Sequence, residues 1–311
     1  MASRQQKILI IKVGYSETLD KDISSVTSFG DVLRTTVLLN LYKDDHVTWL
    51  VDEKAFPILK NNPLINRLMI YNLTSVLQLQ AERFDTVINL EKVPGLCALA
   101  DQVTAWRRYG FRFDPDSGEA EAYDGTQDAL KICYDGNRKR TQKRLWQEML
   151  YEMVGAQWKG EDYVFALKPS DNIQYDIGFN YLVGTKWPSK GWARQNWDIL
   201  ESRLSPKYKI SWQQGAENMN EYFDWINRCG LVVSNDSFGL HIALALRKKV
   251  VALFNCTNPF ETYLDNKGVA LYTEGLCALQ PCYSPKCLVE GKPCDLSVDV
   301  VEKAILTLIG N

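Results

Sequence analysis

Short continuous apolar runs alternate along this chain with stretches of helical spacing, and that alternation defines most of its elements. Lys7-Ile-Leu-Ile-Ile-Lys12 is a β-branched run between two lysines, the pattern of a strand buried on both faces. A polar insertion follows, then a helical pattern from Asp31 to Tyr42. His46–Val51 reads as the next strand, Glu53–Lys60 as a helix, and Arg67–Tyr71 and Phe84–Leu90 as further strands. From Asp114 to Asp135 the chain is rich in Gly, Asp and Glu without period, which predicts a mobile loop, and helical spacing returns over Lys139–Val154.

After a boundary between Gly155 and Tyr163 the pattern restarts. Strands are predicted at Ile177–Gly184, Lys207–Trp212, Leu231–Ser234 and Val250–Phe254, with helices at Asn196–Leu204, Met219–Cys229 and Leu240–Leu246 between them. Strands joined by helical crossovers imply mainly parallel sheets covered on both faces. The fold class is therefore α/β, with two Rossmann-like doubly wound domains, residues 1–160 and 161–311. Ligands of such sheets bind at the carboxyl ends of the strands, so the chemistry is expected in a central cleft between the two lobes.

Composition narrows the function classes. A length of 311 residues suits two domains, and 46% hydrophobic with 24% charged residues is ordinary for globular chains. A net charge of −2 gives no electrostatic reason to expect nucleic acid as partner. No apolar run is long enough for a membrane span or a signal peptide, so a cytoplasmic location is expected. The eight cysteines are then expected as thiols or metal ligands. With His46 and His241 as its two histidines, and without G-x-S-x-G, H-E-x-x-H, a P-loop, or G-x-G-x-x-G after the first strand, the chain loses the common hydrolase, P-loop kinase and dehydrogenase readings.

Five segments can carry chemistry. Ser234-Asn-Asp-Ser-Phe-Gly-Leu-His241 follows a strand and opens a helix, where free amides make an anion site. Ser237 and Gly239 would let a phosphate near the backbone, while Asp236 and His241 orient hydroxyls; equally, Asp236 or Ser237 is a helix cap. Asp31, after Ser28-Phe-Gly, stands at a loop-helix junction as a general base or as a carboxylate favoured by the helix dipole. Thr185, Lys186 and Lys190 in the segment Gly184–Trp192 offer a hydroxyl and two cations for a diphosphate, or are plain surface residues. Cys277, Cys282, Cys287 and Cys294 form C-x4-C-x4-C-x6-C, open to a structural Zn²⁺ or iron ion and also to free thiols. The basic run Arg138–Arg144 and the looser group Arg107, Arg108 and Arg112 suit a phosphorylated or anionic-lipid acceptor, or a solvated face.

Together these pieces resemble the ADP-heptose:lipopolysaccharide heptosyltransferases, glycosyltransferase family 9. The likeness runs through Lys7–Lys12 with Phe29-Gly-Asp-Val-Leu-Arg-Thr-Thr36, Trp49-Leu-Val-Asp-Glu53, Asn62-Pro-Leu-Ile-Asn-Arg67, and Asn235–Ala245 followed by Lys249–Phe254. The resemblance implies a GT-B fold and an inverting, metal-independent transfer of a heptose or related sugar from an ADP-sugar to a glycan or lipid-linked acceptor, with peripheral contact at the inner membrane face. It implies Asp31 as general base and Lys190 with Thr185 on the donor diphosphate. Asp236, Ser237, Gly239 and His241 would line the donor site, and Glu217 would hold the ribose. The chain departs from the family at Val13–Phe29, an insertion where the family has a few small residues, and at Phe238, where a smaller residue or proline is common. A nucleotide-sugar epimerase or hydrolase on the same fold, and a non-catalytic module that binds metal or a partner, are the alternative readings.

Overall fold

Lys7–Ile11 forms β1, and Ile8, Leu9, Ile10 and Ile11 are all fully buried, as a strand covered on both faces requires. In the computed structural model, which describes residues 4–15, 26–273, 275, 277–287, 289 and 295–310, β1 lies within a six-stranded sheet. The chain continues through α1 (Phe29–Thr35), β2 (His46–Val51), α2 (Phe56–Leu59), β3 (Arg67–Ile70), α3 (Leu73–Ala81), β4 (Arg83–Asn89), α4 (Pro94–Gln102), β5 (Thr104–Phe113) and β6 (Ala120–Ala122). Helices α5 (Gln127–Tyr134), α6 (Gly136–Thr141) and α7 (Trp146–Met153) complete this unit. The strand order is β3-β2-β1-β4-β5-β6, parallel except for β5 with β6. The order reverses between β1 and β4, so the switch point lies where Lys12 and Glu91 leave those two strands.

The second unit contains β7 (Tyr175–Asn180), α8 (Arg194–Leu204), β8 (Ile210–Trp212), α9 (Met219–Asn227), β9 (Cys229–Asn235), α10 (Phe238–Ala245), β10 (Lys249–Phe254), β11 (Gly268–Tyr272) and α11 (Val298–Gly310). Its five strands are all parallel, in the order β11-β10-β9-β7-β8. Here the switch point lies between β7 and β9, at Asn180 and Asn235. An aromatic core supports it: Phe179 packs against Trp197 and Trp212, and Trp192 against Trp197, with ring centroids 5.1–5.3 Å apart.

Chain contacts divide the molecule into Met1–Ala166 and Leu167–Asn311. The division has a physical basis on each side. Asn40 Nδ2 and Asn62 Nδ2 donate to the carbonyls of Asp162 and Val164, and Val164 N donates to Thr36 Oγ1, which ties that stretch to the first unit. Asn227 Nδ2 donates to the carbonyl of Lys168, and Lys248 Nζ to that of Ser170, which ties the next stretch to the second.

Several elements differ from the sequence reading, three of them near or within the first unit's helices and loops. The helix expected over Asp31–Tyr42 is α1 followed by a 3₁₀ stretch, Thr36–Tyr42. The hydroxyls of Thr35 and Thr36 donate back to the carbonyls of Asp31 and Leu33, which tightens the turn. The loop expected over Asp114–Asp135 holds β6 and α5. The helix expected over Lys139–Val154 is α6 and α7, separated at residues 142–145, with the Leu145 amide donating to Glu148 at the start of the second.

Candidate functional site

In the second unit the segment Ser234–His241, open in sequence to an anion site or to a helix cap, makes no side-chain cap at Ser237. Asp236 follows β9 directly and accepts from Thr257 Oγ1 at 2.6 Å, while Lys190 Nζ lies 2.8 Å from the same carboxylate oxygen. Burial by itself would raise the Asp236 pKa, but the charges of Lys190 and His241 and the hydrogen bonds from Lys190 and Thr257 outweigh it and hold the carboxyl at about 2. Ser237 occupies the N-cap position of α10 without a side-chain capping bond. Its hydroxyl instead accepts from Asn180 Nδ2 at 2.9 Å. That amide also donates to Ser234 Oγ, and Asn180 Oδ1 accepts from the buried Tyr222 hydroxyl. Lys190 on the β7–α8 connection, Asp236 and Ser237 on the β9–α10 connection, and His241 in the first turn of α10 are thus brought together at the carboxyl edge of the second sheet.

The Lys190 segment is fixed from two sides. Asn235 Oδ1 accepts from Trp192 N, and Asn255 Nδ2 donates to the carbonyls of Lys190 and Gly191. Ser189 N donates to the carbonyl of Pro285, Ser189 Oγ to that of Ser284, and Ser189 Oγ lies 3.2 Å from Cys256 Sγ. A lysine on such a held loop is pre-set for an anion, whereas a loose surface lysine would lose conformational entropy on binding one.

Gly239 is glycine for a packing reason. A Cβ there would stand 2.2 Å from the Tyr222 hydroxyl, which donates to Asn180 Oδ1, and 2.4 Å from Asn180 Nδ2, which donates to Ser234 and Ser237. Gly239→Ala is therefore expected to lower stability by about 1–3 kcal/mol, read as a urea midpoint shift at constant m, because the network must move to admit the methyl. Thr185 and Glu217 are exposed, on the β7–α8 and β8–α9 loops, and their side chains make no hydrogen bond or ion pair with the Lys190–Asp236 group. Lys186, beside Thr185, is buried.

In the first unit Asp31 lies in the first turn of α1, its side chain 19% exposed, with the Arg34 guanidinium 3.6 Å away. Arg34 is itself seated 4.8 Å above the Trp146 ring of α7. Residues 16–25 of the Val13–Phe29 insertion lie outside the described residues. Sequence reasoning missed the buried pair Lys12–Glu91, 3.5 Å apart at the switch point of this sheet. It also missed Asn180, Tyr222 and Thr257. The available signal was a polar residue ending an apolar strand (Asn180) or standing just beyond one (Glu91), where a core residue would be apolar.

The basic groups are more committed than their run of charges suggests. Arg108 donates to main-chain carbonyls at the end of α4, Arg112 pairs with Glu121, Arg138 with Asp135 and Arg144 with Glu152. The cysteines Cys277, Cys282 and Cys287 are free thiols, and Cys294 lies outside the described residues. Among the described residues no group of three or more His, Cys, Asp or Glu is placed to hold a metal ion, and no helix is long and apolar enough to cross a membrane.

Residues 214–289, all within the second unit, match the sequence model of glycosyltransferase family 9 (heptosyltransferase). Lipopolysaccharide heptosyltransferase 1 of Campylobacter coli is 30% identical over 129 residues, a match spanning 37% of this chain and 37% of that relative. The structure is similar to that of a family-9 glycosyl transferase from Veillonella parvula DSM 2008, with a TM-score of 0.66, 19% identity, and 98% and 97% of the two chains covered. It is also similar to the E. coli heptosyltransferase WaaC with ADP-2-deoxy-2-fluoro heptose, with a TM-score of 0.62, 16% identity, and 97% and 99% covered. The fold is the GT-B fold, and the resemblance to family 9 read from the sequence is borne out, with the match to the family model lying in the second unit.

Proposed function

We propose that this chain is an inverting glycosyltransferase that moves a heptose or related sugar from an ADP-sugar to an acceptor hydroxyl in lipopolysaccharide or surface-glycan assembly. The observation that carries the reading is Lys190 held 2.8 Å from Asp236 at the carboxyl edge of the second sheet, in the unit whose residues 214–289 match the family. The first unit receives the acceptor and the second the donor. Lys190 meets the diphosphate and offsets the charge that gathers on it as the sugar leaves. Asp236, Ser237, Gly239 and His241 line the donor pocket, with Thr185 on the diphosphate and Glu217 on the ribose, both from loops open to solvent. Asp31 takes the proton from the attacking acceptor hydroxyl. That oxygen attacks the anomeric carbon from the face opposite the leaving diphosphate, so configuration inverts.

In this reading the transfer is metal-independent, as the resemblance to family 9 implies, and Lys190 supplies positive charge at the diphosphate. The metal reading of the tail stays separate and structural. The three described cysteines do not form a metal-holding group by themselves, so a tetrathiolate site for Zn²⁺ or iron requires Cys294 as well. A lipid-linked acceptor places the enzyme peripherally at the cytoplasmic membrane face, with Lys139, Arg140 and Lys143 of the α6 region toward anionic headgroups.

The test is calorimetric titration with ADP, UDP and GDP in EDTA, with metal content of the same sample read beforehand by elemental analysis. ADP is expected to bind in preference to the other two, with chelator making no difference. Equal or absent binding of all three would sink the donor assignment.

A further inference from the structure

The mechanism above makes no use of the buried Lys12–Glu91 pair, with Lys12 1% and Glu91 0% exposed. Burying an ion pair costs more than burying aliphatic side chains of the same volume, so its retention at a sheet switch point asks for a reason. Glu91 Oε1 lies 3.5 Å from Lys12 Nζ and also accepts from the amides of Gly14 at 2.6 Å and Tyr15 at 3.3 Å. Glu91 is itself held firmly. Its amide donates to Asn89 Oδ1, and its carbonyl accepts from Asn89 Nδ2 and Cys97 Sγ.

Gly14 carries the connection onward. Its carbonyl accepts from Ser28 N at 2.7 Å, and Ser28, the N-cap of α1, accepts from Val32 N through its own carbonyl. Gly14 has φ +102°, and a Cβ there would stand 3.0 Å from both Thr27 Cγ2 and Val32 Cγ2. One residue is thus bonded through its amide to the buried carboxylate and through its carbonyl to the cap of the helix that carries Asp31.

We propose that Glu91, fixed by Lys12, is a positioning residue that sets the place of the Asp31 carboxylate through Gly14 and Ser28. The inference rests on the reading of Asp31 as the base. Misplacing a catalytic group by about 1 Å lowers turnover by about 100-fold, so a rigid link from the sheet to α1 is worth the buried charges.

Two double variants isolate the link. Lys12→Met/Glu91→Gln and Lys12→Met/Glu91→Leu both remove the charges, but the first leaves an amide oxygen for Gly14 N. Hydrogen exchange followed by NMR is expected to show the Gly14 and Ser28 amides at least about 10-fold less protected in the Leu variant than in the Gln variant. ADP release from ADP-heptose with a lipopolysaccharide-core acceptor is expected to show kcat about 10- to 100-fold lower in the Leu variant than in the Gln variant, with KM and ADP affinity unchanged. Equal exchange in the two variants overturns the proposal even without a turnover measurement, and so does equal kcat. Failure of the base reading has its own signature, full turnover in Asp31→Asn, which leaves the exchange contrast intact.

Discussion

Asp31→Asn is expected to lower kcat by about 100- to 10,000-fold while ADP affinity stays within experimental scatter, the range a single general base contributes. Asparagine keeps the shape and the hydrogen-bonding oxygen of the side chain but cannot accept the acceptor's proton. The fold should survive the change. Arg34 retains its seat over Trp146 and loses one ion pair at 3.6 Å, which is not the only contact that places it. The proposed mechanism assigns the donor to residues of the second unit, Leu167–Asn311, so calorimetry with ADP serves as the internal control. A variant turning over within about two-fold of the parent would remove Asp31 from the mechanism, since no base contributes so little.

Lys190→Met is the second large effect, and it acts on stability as well as on binding. Asp236 sits at about 2 in the folded protein against an ordinary value of 3.8. A depressed carboxylate contributes stability that is fully present above the unfolded value and is lost as pH falls from about 4 through about 2, here about 2 kcal/mol at neutral pH. Methionine fills the volume of the lysine stem but leaves Asp236 without its closest cation. The variant is expected to lose about 2–3 kcal/mol at pH 7, measured by urea unfolding, and the gap to the parent should shrink between pH 4 and pH 2. ADP affinity should fall about 10- to 100-fold, as for a lost charge-assisted contact worth about 1.5–3 kcal/mol. A pH-independent stability loss would show that Lys190 acts by packing and that its pairing with Asp236 matters little.

The segment Asn235–His241 shows how far a local pattern reaches. Its position after an apolar run and before a helix is enough to mark it as a candidate site, because loops at the carboxyl ends of parallel strands are where ligands bind. The pattern left open whether Asp236 and Ser237 cap the helix. The partners that decide it, Lys190, Thr257 and Asn180, come from 46, 21 and 57 residues away in sequence or close to it, and no local rule reaches them. Gly239 is a similar case: the glycine was visible, but the Tyr222 hydroxyl that excludes a methyl arrives from α9.

Unit 1 gives the complementary lesson. β5 was passed over because Thr104-Ala-Trp-Arg-Arg-Tyr-Gly-Phe-Arg-Phe113 carries three arginines and reads as a basic group, yet β4 pairs with it in parallel over most of its length. Its Arg108 is spent on the carbonyls that end α4, a contact that depends on the crossover being folded.

By itself the sequence determined the α/β alternation, the two-unit division, the parallel sheets and the family resemblance, because these follow from hydrophobic period and from short motifs whose meaning is local. Tertiary structure alone decided strand order, the Lys190–Asp236 pairing and the Glu91–Gly14–Ser28 link. Each of those joins groups that are neighbours only after separate strands lie side by side, and the energy of a buried charge depends on what surrounds it in space and not on what precedes it in the chain.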